Sequence, residues 1–367
     1  LTTYNLGKGK HLNDMVNGRR LCYVSRNYKG RQGAGNKAKA DYEDILAQMG
    51  AHNLGLRRTY YKEYIAAFLT DLAGIVTYAL SVRKGDVVFL QYPTKKYFSF
   101  MCRLARWRGA NTMAFIHDLG AFRRKKLTVK QEIRRLSNAD YIIAANDTMA
   151  EWLKSHGLKR PCHGMGLHDY LSNSETVDKP ATFPPHRIVY AGSIEERKNM
   201  FLTKLSGVIR HGEIHVYGSN HIAALKSTRN LILHEPMAPD NFIATAKGDF
   251  GLVWEGDSLT ACTGDFGEYL RINTPHKASF YLRAGLPLIV WSRSALADIV
   301  DREGIGITVD RIDEIEDHIE SLTGQEIRKI RDNVKRVSQD LAEGLSMRRA
   351  VEKAMCRIKK MTEEQTV

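Results

Sequence analysis

Short apolar runs alternate with longer amphipathic stretches along most of the chain. Runs 21–25, 86–91, 112–117 and 140–144 read as buried strands. Between them, 35–49 and 61–82 show helical spacing, with Ala38, Tyr42, Ile45, Leu46 and Met49 on one face of the first. Residues 146–153 read as a helix start capped by Asn146. Strands this short, separated by helices, predict parallel βαβ units. Segment 172–185 breaks the pattern: it is polar and holds three of the nine prolines, so it reads as a linker. A second alternating set follows, with strands at 187–190, 214–217, 231–234, 250–254, 288–291 and 305–309, and the chain is helical and charged from 311. The expectation is an α/β protein of two doubly wound, Rossmann-like domains, 1–178 and 179–344. A C-terminal helical tail, 345–367, would be free to cross back to the first domain.

Composition narrows the class. The chain has 367 residues and 43% hydrophobic content, enough for two packed cores. No run of ~18 uninterrupted apolar residues is present. The most apolar stretch, 64–82, is broken by Thr70, Asp71 and Thr77. The expectation is therefore no membrane span, and no secretory leader is legible at the start. The five cysteines (Cys22, Cys102, Cys162, Cys262, Cys356) are scattered without a C-x-x-C pair, which favours a reducing, cytoplasmic compartment and disfavours a zinc site.

The net charge of +14 favours anionic partners. Seven of the basic residues fall in 122–135 (Arg123, Arg124, Lys125, Lys126, Lys130, Arg134 and Arg135) against the single acid Glu132. That stretch reads either as a solvated face or as a peripheral contact with the anionic inner leaflet of a membrane. No RRM, KH, zinc-finger or basic-zipper pattern accompanies the charge, so nucleic acid is not an expected partner.

Four loops carry candidate chemistry. After the apolar run ending at Trp254 come Glu255, Gly256, Asp257 and Ser258, then Thr263–Tyr269 with Glu268, then Asn273, Thr274, Pro275, His276 and Lys277 opening a helix. First-turn N–H groups, the helix dipole and the lysine favour a pyrophosphate there. Thr274 is the expected N-cap, with Pro275 as the first helical residue. At the opening of the second domain, Gly192-Ser193 leads into Arg197 and Lys198, whose charge suits a departing diphosphate. Tyr217, closing another strand, is expected to border the nucleotide. In the first domain, a glycine-rich basic loop runs from Asn27 through Gly30, Gly33, Gly35 and Lys37 and does not fit a Walker spacing. His117 and Asp118 follow a strand end, where either can serve as general base or bind an acceptor hydroxyl.

Two such sheets facing a cleft is the layout of the GT-B glycosyltransferases. The stretches 251–258, 263–270, 273–279, 286–291 and 295–298 resemble the bacterial O-antigen β-1,6-galactofuranosyltransferases, and more loosely the accessory glucosyltransferases that extend GlcNAc on serine-rich adhesins. Ala34-Gly35-x-Lys37-Ala38, Ile116-His117-Asp118 and Tyr190-Ala191-Gly192-Ser193 are similar to motifs of the same family. The resemblance implies a GT-B fold, a UDP-hexose donor, a saccharide or lipid-linked saccharide acceptor, no obligatory cofactor or metal, and a homo-oligomer. It places Gly192, Ser193, Asn273 and Lys277 on the UDP, and Arg197, Lys198, Tyr217 and His276 are expected at the same UDP-sugar site from their charge and position. Gly33, Gly35, Lys37, Asp257, Glu268 and Tyr269 are expected to line the acceptor side or cleft. The resemblance places His117 and Asp118 near the acceptor, and the β product it implies calls for inversion, for which Asp118 or His117 is the expected catalytic base. Galactofuranose is the expected donor sugar. A glucosyl or other hexosyl transferase of the same fold, or a non-catalytic UDP-sugar-binding subunit, is the alternative.

Overall fold

The computed structural model describes residues 18–28, 34–94, 97–123, 127–176, 186–219, 225 and 229–364. The apolar runs form two six-stranded sheets, parallel throughout. The first holds β1 (Leu21–Tyr23), β2 (His52–Asn53), β3 (Val87–Tyr92), β4 (Asn111–Ile116), β5 (Tyr141–Ala144) and β6 (Cys162–Gly164), in the order β2-β1-β3-β4-β5-β6. The second holds β7 (Arg187–Ala191), β8 (Glu213–Tyr217), β9 (Leu231–His234), β10 (Phe250–Val253), β11 (Leu288–Trp291) and β12 (Gly306–Val309), in the order β12-β11-β10-β7-β8-β9. In β3, β5, β10 and β11 nearly every residue is buried, because helices cover both sheet faces. That is why these strands read as continuous apolar runs rather than as alternation. Strands β2 and β6 escaped the sequence reading: at two and three residues, with His52, Asn53 and His163 among them, they carry no apolar run.

The chain divides into two units. Unit 1 runs to Met165 and resumes at Gly344; unit 2 is Gly166–Glu343. The expected boundary at 178 lies further along, because the start of the expected linker is bound into unit 2. Leu167 and Tyr170 are buried in the second core. Arg283 donates to the carbonyls of Tyr170 at 3.1 Å, Ser174 at 3.3 Å and Ser172 at 3.5 Å. Residues 177–185 of that linker lie outside the described residues. The helix Leu345–Glu364 buries Met347, Ala350, Val351, Ala354, Met355 and Ile358 and packs on β5 and the helix Ala34–Gln48 of unit 1.

Helix boundaries follow local chemistry. Thr128 and Gln131 form a reciprocal capping box on Val129–Leu136, and Asn146 accepts from Met149 N at 2.8 Å at the start of Asp147–Ser155. Glu132, the lone acid of the basic stretch, is not on its surface. It is buried, accepting from Tyr92 Oη and Ala121 N, each at 2.6 Å. Arg124, Lys125 and Lys126 lie outside the described residues. The helix Tyr64–Ser81 is, by length and composition, apolar enough to cross a membrane, contrary to the expectation that no stretch would be. Thr70, Asp71 and Thr77 do not lower its mean hydropathy enough to prevent this. One face of it packs into unit 1 through Ala67, Gly74, Ile75 and Tyr78.

Candidate functional site

In unit 2 the strand order reverses between β7 and β10: the chain fills β7-β8-β9 on one side and then returns to place β10-β11-β12 on the other. Ligands of doubly wound sheets bind beyond the carboxyl ends of the strands at such a reversal. Gly192 follows β7 there, and Trp254 and Glu255 follow β10. The helix His276–Arg283 brings Lys277 to the same place.

Lys277 Nζ lies 3.2 Å from Glu255 Oε1 and 3.8 Å above the Tyr190 ring. The two charged side chains are only 16% and 13% exposed, so the pair is shielded without being sealed off. Burial pushes the Lys277 ammonium below its usual pKa. The Glu255 charge opposes that shift, and the Lys198 charge adds to it. Tyr190 Oη donates to Glu255 at 3.3 Å, and Asn199 Nδ2 reaches Tyr190 Oη at 2.5 Å and Glu255 at 3.4 Å. Lys277 is therefore held in place while its positive field is only partly compensated.

Gly192 sits opposite. Its φ of +143° is a conformation that favours glycine. A Cβ on it would come within 3.8 Å of Lys277 Cε, so backbone and ammonium face one space. Gly192 N donates to Tyr217 O at 2.9 Å, and Ile194 N to Ser219 O at 3.1 Å. This close approach requires Gly218, where a Cβ would lie 2.1 Å from Gly192 O. Asn273 Oδ1 is buried and meets no donor among the described residues, an acceptor suited to a ligand N–H or O–H.

Two expectations about this region change. The helix begins one residue later than expected: Pro275 is the N-cap, with an extended ψ of 137°, and Thr274 is buried ahead of it without capping. Pro275 has the φ of a first helical residue, but its extended ψ leaves it outside the helix.

The other residues singled out in unit 2 have mixed surroundings. Arg197 and Lys198 lie over the Phe266 ring, at 5.0 and 5.6 Å, and both pair with Glu195, to whose carboxylate Ser193 also donates. Tyr217 is buried, stacked on His234 at 4.2 Å. His276 stacks on Tyr170 at 4.8 Å. Asp257 accepts from Thr263 Oγ1 at 2.6 Å, Glu268 pairs with Arg271 at 2.8 Å, and Tyr269 is buried.

Unit 1 has its own reversal, between β1 and β3. His117 follows β4, and its Nε2 lies 2.7 Å from Gln91 Oε1. The Gln91 amide nitrogen donates to Lys39 O at 3.1 Å and Tyr28 Oη at 3.3 Å. A carbonyl can only accept, so the amide orientation is fixed, the Gln91 oxygen faces the ring, and the His117 proton sits on Nε2. Nδ1 is then the basic atom of the ring. Tyr42 stacks on the same ring at 5.3 Å. Lys37 pairs with Asp41 at 2.5 Å within the helix that includes Gly35. Gly33 lies outside the described residues.

Behind this chain Tyr28 Oη donates to Glu43 at 2.5 Å, Ser25 Oγ does so at 2.7 Å, and Arg58 Nε lies 3.3 Å away. Burial pushes the Glu43 carboxyl up to about 7, against the opposing pull of these three partners. Between its ordinary 4.5 and about 7 the folded protein holds a proton that the unfolded chain has released. Stability from this group is full below 4.5 and falls as pH rises through that window. Glu43→Gln removes the slope. Denaturant midpoints at pH 5 and pH 8 should show wild type losing up to about 3 kcal/mol more than the variant.

Glu255, Tyr190, Asn199 and Gln91 are the residues of these sites that the sequence reading did not select. Glu255 was visible in the loop after β10, but its partners lie 22 to 65 positions away, and pairing over such separations leaves no local pattern.

Two Rossmann-like units with these sheet orders make the fold that of the GT-B glycosyltransferases. Among solved structures, HepE of Anabaena in complex with UDP-glucose superposes with a TM-score of 0.58 at 10% identity, over 91% of this chain and 98% of that one. WaaG, a glycosyltransferase of lipopolysaccharide biosynthesis, gives 0.54 at 10% identity, over 91% and 99%. Residues 21–167 match the N-terminal domain and 188–354 the C-terminal domain of the Glucosyltransferase 3-like family, and the chain belongs to that family. The β-1,6-galactofuranosyltransferase WbbI of Escherichia coli is 27% identical over 89% of this chain and 95% of its own length. Glucosyltransferase 3 of Streptococcus gordonii is 26% identical over 84% and 90%.

Proposed function

We propose that this GT-B glycosyltransferase transfers galactofuranose from UDP-galactofuranose to a hydroxyl of a saccharide or lipid-linked saccharide, with inversion, in the cytoplasm. The observation that carries the donor class is the Lys277 ammonium, shielded beside Glu255 and facing Gly192 at the strand reversal of unit 2. A fixed cation in a partly dry site stabilises the charge that grows on the departing diphosphate. Lys198 adds a second positive charge nearby. With these lysines taking the diphosphate charge, no metal ion is required for departure of UDP. The furanose assignment is supported by the galactofuranosyltransferase relative. The cytoplasmic assignment is supported by five free cysteines. Inversion needs one general base, and in unit 1 His117 Nδ1 or the Asp118 carboxylate fills that role.

UDP release tests the reading, with UDP-galactofuranose (made in place by a mutase), UDP-galactose and UDP-glucose compared, with and without hexoside acceptors and with a chelator. Acceptor-dependent release from the furanose donor, unaffected by chelator, is expected. His117→Ala or Asp118→Asn should lower kcat by roughly 10²–10⁴-fold with UDP affinity retained. Release from UDP-glucose alone would move the assignment to glucosyl transfer. Near-wild-type rates in both variants would remove the base assignment.

A further inference from the structure

The helix Tyr64–Ser81 turns Ala67, Gly74, Ile75 and Tyr78 into unit 1. Its other side carries Tyr64, Ile65, Leu69, Leu72, Val76 and Leu80, each 40–77% exposed. Every exposed residue from Tyr64 to Leu80 is apolar. The one charge within the helix, Asp71, turns inward to Arg26 at 2.9 Å and Asn27 N at 3.3 Å. The result is an uncharged strip about 27 Å long. Single exposed leucines are ordinary on a protein surface, whereas a continuous strip of this kind marks a docking surface.

The surroundings of the strip indicate its partner. Exposed Arg57 and Lys62 precede the helix, and exposed Arg83 and Lys84 follow it, against the single acid Glu63. The neighbouring helix Phe98–Trp107, bound through Tyr78 Oη to Met101 O at 2.9 Å, ends in Trp107, which is 77% exposed. Arg108 lies 5.3 Å from the Trp107 ring centroid and donates to Ala79 O at 3.4 Å. Leu80, Trp107, Arg108, Arg83 and Lys84 thus gather at one end of the strip. An apolar strip with basic ends and an exposed indole at its edge matches the boundary of an anionic bilayer, where acyl chains meet phosphate and indoles sit at the headgroups. A second copy of the chain fits poorly. Paired parallel or antiparallel, two such helices bring basic end against basic end.

We propose that Tyr64–Ser81 is an interfacial helix that docks unit 1 on an anionic membrane surface. It lies in the interface rather than spanning it, because its packed face and the Asp71–Arg26 pair bind it to the rest of unit 1. The proposal does not depend on the identity of the donor sugar.

Cosedimentation of the full chain with vesicles of phosphatidylethanolamine and phosphatidylglycerol (3:1), against phosphatidylcholine alone, tests it. Partitioning onto the anionic vesicles should be at least ~10-fold stronger, and weaker at higher salt. The double variant Leu69→Asp/Val76→Asp should lose at least ~10-fold of that binding with its melting temperature unchanged. Brominated lipids should quench wild-type emission, and Trp107→Phe should remove the quenching. Equal binding to both vesicle types, no binding, or wild-type binding by the double variant would overturn the proposal. If the double variant did not fold, absence of Trp107 quenching would overturn it. A wild-type oligomer that the double variant splits, with no vesicle binding by either, would give the face to a second copy instead.

Discussion

Lys277→Met is expected to lower kcat/KM by about 10³-fold and to weaken UDP binding by at least ~10-fold. The lysine faces Gly192 across the space where β7 and β10 diverge, and its charge is partly spent on Glu255. Removing it does two things at once. It deletes the cation that a diphosphate would meet, and it strands Glu255 in a shielded position. Stranding a fully buried charge costs about 3–5 kcal/mol. Both side chains here keep some solvent contact, so roughly 1–2 kcal/mol is expected. The two effects separate in the double variant Lys277→Met/Glu255→Gln, which removes both charges. That protein should recover its melting temperature without recovering UDP binding. Calorimetric titration with UDP checks this, and wild-type affinity in the double variant would show that Lys277 is not the anchor.

Arg283→Ala is expected to destabilise unit 2 by about 3–5 kcal/mol. The Arg283 guanidinium is buried, and burial lowers its pKa, yet arginine keeps its charge in proteins. Its donors serve Tyr170 O, Ser172 O, Ser174 O, Ser338 O and Ser338 Oγ, two of them at the outer limit of hydrogen bonding. Alanine would leave several of these carbonyls without a donor and free the segment 170–176 from the unit it enters. At about 2–4 °C per kcal/mol for a unit of this size, the melting temperature should fall by roughly 10 °C. Arg283→Lys places one ammonium where a planar fork stood and should recover less than half of the loss. A change under ~1 kcal/mol for alanine would mean that the segment is held by other contacts.

The same arginine shows why part of the architecture could not be read from the chain. Strands β5, β10 and β11 announce themselves because burial on both faces demands uninterrupted apolar residues, and that demand is local. The division between units is not local. Ser172 to Thr176 has the composition of a linker and is fixed by the guanidinium and the backbone carbonyl of Arg283, more than a hundred positions away. The site divides in the same way. Gly192 and Lys277 were legible because a strand-to-turn glycine and a lysine in a helix's first turn each break a local preference. Glu255 and Gln91 break none. Each becomes informative only through its partners, Lys277 and Tyr190 for one, His117 and Tyr28 for the other.

The return of Gly344 onward to unit 1 also sets the order in which the chain can mature. Unit 2 is one unbroken stretch, so it can fold as soon as it has been synthesised. Unit 1 comes first in sequence, yet β5 and the helix Ala34–Gln48 meet their last packing partner only when Leu345–Glu364 has been made. The first half of the protein must wait, incompletely covered, while the second half is built. A stop codon near 344 would therefore damage the distant amino-terminal unit and spare the unit beside it.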